Sequence, residues 1–331
     1  MVRILPDEAV ASLLDLEDLL PVIEDAFRKQ GRCQVELPER PHMPVGIDLD
    51  GEPAGGRTEE SLGVSLTMPA YVHGEETLAT KLVTIHDDNP ARGLPTVNAQ
   101  VVVTDAATGQ PLAFAHGNRI TNARTGCIGG LAVRHLATGP VDLGVLGAGT
   151  QARWQTRTVD AATDLRSVRI YAPSDSREAC AADLRAELDA DVRAVASSTA
   201  AVTDANVVMT TTTSATPVFD GDDLAPGTLV VGIGAYTPEL QEIDETTFER
   251  AARVFADVPE EAATVGDVAA TDLDADDLVP LSAVFEGEAG RESDDEILVV
   301  ESVGNAVLDA ATAAQVYGEA ERRDAGTVVE F

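Results

Sequence analysis

The stretch Gly144-Val-Leu-Gly147-Ala-Gly149-Thr150-Gln151-Ala152 limits what this chain can fold into more than any other. An apolar run from Val141 to Leu146 meets a glycine turn, then a helical pattern containing Trp154. That order is the strand, tight turn and helix start of a dinucleotide-binding fold. Gly147 allows the sharp turn and Gly149 lets backbone approach a pyrophosphate. Ala152 keeps the new helix close to its sheet, while unpaired N–H groups at the helix start point toward phosphate. A chance glycine-rich turn is the competing reading, but both flanks fit and further apolar strands follow. A nucleotide cofactor is expected.

The next strand, Val168 to Tyr171, ends in Ala172-Pro-Ser174-Asp175-Ser176-Arg177. An acidic residue at this strand end binds the ribose hydroxyls of NAD. Here Ser174, Ser176 and Arg177 suit a 2′-phosphate better, although Asp175 could serve the ribose, so NADP is favoured over NAD. Ala205–Met209 runs into a threonine-rich loop containing Thr212, and Gly227–Gly234, which includes Gly232, into Ala235–Glu242. Such loops belong at the carboxyl edge of a parallel sheet, over the cofactor. A fifth strand spans Arg253–Asp257. Residues 264–295 read as acidic and peripheral, and Ile297–Val300 leads through Ser302 to a final helix, Asn305–Glu319, expected to pack back on the first domain.

In front of the glycine turn, Val10, Leu13, Leu14, Leu19, Leu20, Ile23 and Phe27 show helical periodicity, with Asp15 and Asp18 as turn or cap residues. Residues 46–61 are polar and glycine-rich, a hairpin or exposed loop. Leu62–Met68, Leu78–Ile85, Thr96–Val103 and Pro111–Ala115 read as strands, the last two joined by an Asp105–Gly109 turn. Asn118–Leu136 reads as a helix capped by Thr121, with small residues on one face and Arg124 in its first turn.

Two cations stand out. The chain contains only two lysines, Lys29 and Lys81, and Lys81 lies mid-strand in Leu-Ala-Thr-Lys-Leu-Val-Thr-Ile. A packed stem with its ammonium in solvent is the ordinary reading. The scarcity of lysine favours a functional one, in which a sequestered ammonium holds a carboxylate or trades a proton. Arg124 is either a surface arginine or a fork for a substrate carboxylate.

The formal net charge of −34 is spread along the whole length. A dense acidic surface poor in lysine suits a halophilic protein, kept soluble where salt screens its self-repulsion, and argues against nucleic acid or anionic membrane as partners. No apolar run is long enough to span a bilayer, and MVRILPDEAV lacks a signal-peptide plan, so a cytoplasmic protein is expected. Cys33, Cys127 and Cys180 give neither a disulfide framework nor a zinc pattern, and His42, His73, His86, His116 and His135 show no metal-ligand spacing. His86, beside a strand end, either faces the site or, as the favoured reading, caps a loop.

Several separated motifs together resemble the ornithine cyclodeaminase/mu-crystallin family. They are Met68-Pro, Lys81 followed by Asn89-Pro-Ala-Arg-Gly-Leu-Pro-Thr96-Val, Asp105 to Ala113, Ile120-Thr-Asn-Ala-Arg124-Thr, Gly147 to Ala152, Thr212 before Pro217, and Ser302-Val-Gly304. The resemblance implies an α/β protein: a Rossmann NAD(P)-binding domain (121–302) and an α+β substrate and dimerisation domain (1–120 with 303–331), commonly assembled as a homodimer. It implies that Lys81, Arg124 and Arg40 bind the substrate carboxylate, with Lys81 the catalytic candidate. Thr96, Arg124, Thr150, Gln151, Thr212 and Ser302 match cofactor-contacting positions, beside Gly147, Gly149, Ala152, Gly232, Ser174 and Arg177.

Two positions depart from the cyclodeaminases. Tyr236 stands where they carry an aspartate, and Leu66 where they carry a glutamate. A phenol with a pKa near 10 does not replace a carboxylate base at neutral pH. The implied activity is therefore hydride transfer between NAD(P)H and the α-carbon of a small imino or amino acid, of alanine dehydrogenase or cyclic ketimine reductase type. Ornithine cyclodeaminase activity and non-enzymatic NADPH binding are the alternatives.

Overall fold

The computed structural model describes residues 1–38, 40–47, 61–86 and 88–330. In chain order it runs β1 (Val2–Leu5), α1 (Asp7–Leu13), α2 (Leu16–Gly31), β2 (Val35–Glu36), β3 (His42–Val45), β4 (Gly63–Val72), β5 (Thr77–Ile85), β6 (Val97–Asp105), β7 (Pro111–His116) and α3 (Gly117–Leu136). Then follow β8 (Val141–Leu146), α4 (Thr150–Ala162), β9 (Leu165–Tyr171), α5 (Ser176–Arg185), β10 (Asp191–Ala194), α6 (Ser198–Val202), β11 (Val207–Thr210) and β12 (Leu229–Gly232). The remainder is α7 (Glu245–Arg250), β13 (Ala251–Ala256), α8 (Pro259–Ala262), α9 (Gly266–Ala269), β14 (Leu278–Pro280), α10 (Leu281–Phe285), β15 (Ile297–Glu301), α11 (Ala306–Arg323) and β16 (Thr327–Val329). The chain divides into two compact units: Met1–Asp15 with Arg32–Arg124 and Ala306–Phe331, and Leu16–Gly31 with Thr125–Asn305. The sequence reading places all of residues 1–120 in the first; here α2 groups with the second.

In the first unit the sheet order is β16-β1-β7-β6-β5-β4-β2, with β3 also paired to β4. The pairs are antiparallel except that β1 runs parallel to β7. Period-two alternation buries Leu66, Met68, Ala70 and Val72 of β4, Ala79 and Val83 of β5, and Ala99, Val101 and Val103 of β6. Helix α11 lies against β4, β5 and β6. Its run Ala306-Val-Leu-Asp309-Ala-Ala-Thr-Ala-Ala has small residues that let helix and sheet approach closely. The N-terminal strand β1 was not expected, because four residues are too few to show a period. Arg3 holds it in place, donating to Glu321, Asp324 and the Ala325 carbonyl. Most of the loop anticipated at 46–61 lies outside the described residues.

The second unit is built on an all-parallel sheet in the order β10-β9-β8-β11-β12-β15-β13-β14. Strand order reverses between β8 and β11, which is where open parallel sheets bind nucleotides at their carboxyl ends. Helix α3 packs on α4 because glycines let it: a Cβ on Gly130 would lie 2.8 Å from the Thr158 carbonyl oxygen, and one on Gly126 2.9 Å from the Thr158 methyl.

Two readings need correction. Thr121 does not cap α3, which starts at Gly117; the entry is held by Asn118, whose side chain accepts from Ala99 N and donates to the Val97 carbonyl. Arg124 is therefore two turns in. Nor are residues 264–295 wholly peripheral. Asp267, Val268, Leu278, Leu281, Val284 and Phe285 are buried, because apolar positions inside an acidic stretch supply a packed face to β13 and α2.

Candidate active site

The first unit buries two cations on one carboxylate. Lys81 sits on the helix-covered face of β5, opposite Met68 of β4 and Val101 of β6, and only 3% of its surface is exposed. Strand alternation sends Leu82 outward and Lys81 inward. Its Nζ donates to Asp309 Oδ2 at 2.5 Å, and Arg124 Nε donates to Asp309 Oδ1 at 3.0 Å. Arg124 and Asp309 are equally buried, at 4% and 1% exposed. A solvent-reaching ammonium is excluded. Among the described residues the structure gives Arg124 Nη1 and Nη2 no hydrogen-bond acceptor.

The three charges shape one another. Burial pulls Lys81 down to about 8; Asp309 opposes that fall, while Arg124 and Arg40 deepen it. Burial alone would raise Asp309, but Arg124 and Lys81 outweigh it and hold the carboxyl below its ordinary range. Arg40, half-buried ahead of β3, is thus close enough for its charge to be felt at Lys81. Thr96, just before β6, is tied by its carbonyl to the backbone of His86, and the His86 ring contacts the Leu62 carbonyl, a loop-holding role. Leu66 is buried and pairs across β5 with Val83.

The second unit carries the phosphate turn. Gly147 has φ +116°, and a Cβ there would strike Thr211. Gly149 is the N-cap of α4 and its Cα faces open space, while Ala152 is fully buried beneath the helix. Thr150 and Gln151 occupy the first turn, where backbone N–H groups have no helical partner. At the tip of β9, Ser174 and Ser176 share a hydrogen bond of 2.7 Å. Arg177 Nη1 donates to the carbonyls of Ala172 and Ser174, and Asp175 stands exposed at the start of α5 without capping it.

The loops after β11 and β12 are stapled by a carboxylate. Buried Glu242 accepts from Thr210 Oγ1 at 3.0 Å, from Gly234 N at 2.7 Å and from Thr212 N. Asp267 Oδ1 in turn accepts from the N–H groups of Glu242 and Ile243. Gly232 does not leave its open side to a ligand: a Cβ there would lie 2.7 Å from the Glu301 carboxyl. Ser302 gives its hydroxyl to Asp257, which also caps Val303 N and Gly304 N. Glu301 Oε1 and Asp267 Oδ2 have no hydrogen-bond partner among the described residues. Burial, with no cation among the described residues to counter it, raises Glu242, lifts Asp267 to about 7 and pushes Glu301 well above the carboxylate range.

Sequence reasoning missed Asp309, Asp267 and Glu301, and left Glu242 unplaced. A signal existed for Asp309: it is the one charge in the apolar start of a helix, and a buried lysine needs such a partner.

A glycine turn on a doubly wound parallel sheet, and a separate mixed sheet holding two buried cations, define a two-unit protein of dinucleotide-binding fold. The model of the ornithine cyclodeaminase/mu-crystallin family matches residues 3–324, and the chain belongs to that family. A Δ1-pyrroline-2-carboxylate reductase of Bacillus cereus is 33% identical over 280 residues, 81% of this chain and 85% of that one. Among solved structures, the Thermococcus litoralis Δ1-pyrroline-2-carboxylate reductase in complex with NADH and L-proline has a TM-score of 0.91 at 27% identity, covering 99% of this chain and 100% of that one. An archaeal alanine dehydrogenase dimer with bound NAD has a TM-score of 0.87 at 27% identity, covering 100% and 99%.

Proposed function

We propose that this protein is an NAD(P)-dependent oxidoreductase that transfers hydride to or from the α-carbon of a small imino or amino acid, with a cyclic ketimine such as Δ1-pyrroline-2-carboxylate as the reductive substrate. The observation that carries the reading is the pair of buried cations on Asp309, an anion cradle inside an apolar face.

The second unit fits a dinucleotide. The open space over Gly149 and the helix start at Thr150 suit a pyrophosphate. Ser174, Ser176 and Arg177 suit the adenosine ribose, with NADP(H) preferred, and Thr212 and Ser302 stand at strand ends over which a nicotinamide would lie. Bound there, the cofactor supplies the hydride. The chain's own residues position the other reactant. Arg124 Nη1 and Nη2 fork the substrate carboxylate, with Lys81 as second donor and Arg40 beside them, while Thr96 is assigned to the cofactor. As the carbon–nitrogen double bond is reduced, its π pair goes to nitrogen, and Lys81 keeps that nitrogen protonated directly or through water. A group titrating near 8 holds a proton at neutral pH and still releases it.

Cyclodeamination is the weaker reading, since Leu66 and Tyr236 replace two carboxylates. The dimer of the archaeal alanine dehydrogenase supports a homodimer. No helix among the described residues is long and apolar enough to cross a membrane, and we assign the protein to the cytoplasm. We assign the acidic composition to life in concentrated salt.

The test is a substrate panel in about 0.1 and 2 M KCl, following absorbance of NADH and NADPH. Reduction of cyclic ketimines or of pyruvate plus ammonia, faster with NADPH and in high salt, is expected. Proline from ornithine without net redox would install the lyase reading instead, and tight nucleotide binding without any turnover would leave only a binding protein.

A further inference from the structure

The cradle contains an acid where a substrate carboxylate has to bind, and that acid needs a reason. Two cations side by side on an apolar face repel, and each is costly to strip of water. A guanidinium does not give up its proton in a protein, so the lysine would be the group to lose its charge. We infer that Asp309 is a positioning residue for the cradle: it keeps the Lys81 ammonium charged and holds Arg124 by Nε, leaving the guanidinium's terminal nitrogens for the substrate. This rests on the carboxylate-binding reading above.

The charge balance supports it. Lys81 and Arg124 with Asp309 carry one net positive charge, which a single substrate carboxylate cancels. Without Asp309 the pair would bind its anion only by shedding a proton or by tolerating a second buried charge. The geometry is that of a strut: one carboxylate, one oxygen to each cation, at 2.5 and 3.0 Å. The groups facing Lys81 are few among the described residues. Asp309 comes from α11, Arg124 from α3 and Arg40 from the segment before β3, while the cross-strand neighbours Met68 and Val101 are apolar. Asp309 is the one charge there that favours the protonated lysine; burial, Arg124 and Arg40 all oppose it.

The chain's lysine scarcity makes the test direct. Protein labelled with ¹³C-lysine has two ε-carbon resonances, Lys29 and Lys81, assigned with a Lys29→Arg variant. In the wild type the Lys81 signal should be that of an ammonium at pH 6 and titrate near 8. In Asp309→Asn its inflection should fall by more than about one pH unit with Lys29 unmoved, and the alkaline limb of kcat/KM should move down with it. Asp309→Glu should restore the inflection. A Lys81 inflection unchanged in Asp309→Asn overturns the inference. So does a wild-type Lys81 already neutral at pH 6, a result that stands even if the asparagine variant does not fold. The titration needs no turnover, so a wild type inert toward the whole substrate panel would fail the functional reading and leave Asp309 to be judged on the resonance alone.

Discussion

Each unit buries a cluster of ionisable side chains, and the two clusters have opposite composition. Around Asp309 the charges are mixed: two cations on one carboxylate, all less than 5% exposed. Around Glu301 they are alike: Asp267, Glu242 and Asp257 are close enough to disfavour its ionisation, and no cation among the described residues counters them. In the first cluster attraction offsets lost hydration, Asp309 stays ionised and Lys81 remains able to hold a proton near neutrality. In the second, hydrogen bonds to Glu242 and Asp267 offset it only in part. Glu242 gives its oxygens to Thr210 and the backbone of two loops, while Glu301 and Asp267 each keep an oxygen without a partner among the described residues, and burial with like neighbours raises both carboxyls. Burial therefore does not itself decide what an ionisable group becomes. Its neighbours do. The mixed cluster suits the anion-binding role proposed for it, and the uniform one ties the loops at the strand ends.

The comparison breaks most visibly at Lys81. Lys81→Ala should lower turnover by about 10³-fold, the range of a lost general acid and carboxylate ligand, with nucleotide affinity by fluorescence titration within about twofold of wild type. Loss of both together would mean that Lys81 supports the fold and not the chemistry.

A smaller effect separates the acids. The folded state keeps the Asp267 proton up to about 7, whereas the unfolded chain releases it near the ordinary carboxyl value of 3.8. Its contribution to stability is thus full at acid pH and is lost as pH rises through that window. Asp267→Asn keeps an oxygen for the N–H groups of Glu242 and Ile243 and cannot ionise. Urea denaturation should find it level with wild type near pH 4 and more stable at pH 8, by on the order of 3 kcal/mol. A destabilisation equal at both pH values would show that Asp267 is ionised throughout.

The smallest effect sharpens the cradle's edge. Arg40 is half-buried and acts on Lys81 through space. Arg40→Ala should raise KM for the imino acid about tenfold, roughly 1.4 kcal/mol, and change kcat less than about twofold. A fall in kcat with KM intact would move Arg40 from holding the substrate to the reacting atoms.

Local pattern was enough for much of this. Val141–Ala152 announces its strand, turn and helix because glycine chemistry and apolar runs act over a few residues, and the alternation around Lys81 already turns that lysine inward. What could not be read were partnerships across long stretches of chain. Lys81 and Asp309 are 228 positions apart, Arg124 and Asp309 185. Glu242 was visible as an acid near a loop, but not as the staple of two loops, since no spacing rule reports where backbone N–H groups converge. The acidic stretch at 264–295 misled because charge density on exposed positions masked the buried face beneath it.

The amino-acid sequence alone thus determined the dinucleotide unit, the β-rich segment before it and the exceptional status of one strand lysine, for these follow from interactions between near neighbours. Only the tertiary structure decided that Asp309 bridges Lys81 and Arg124, that Glu301 fills the space beside Gly232, and which carboxyls keep their charge. Ionisation in a protein interior depends on distances and lost hydration, and those exist only once the chain has folded.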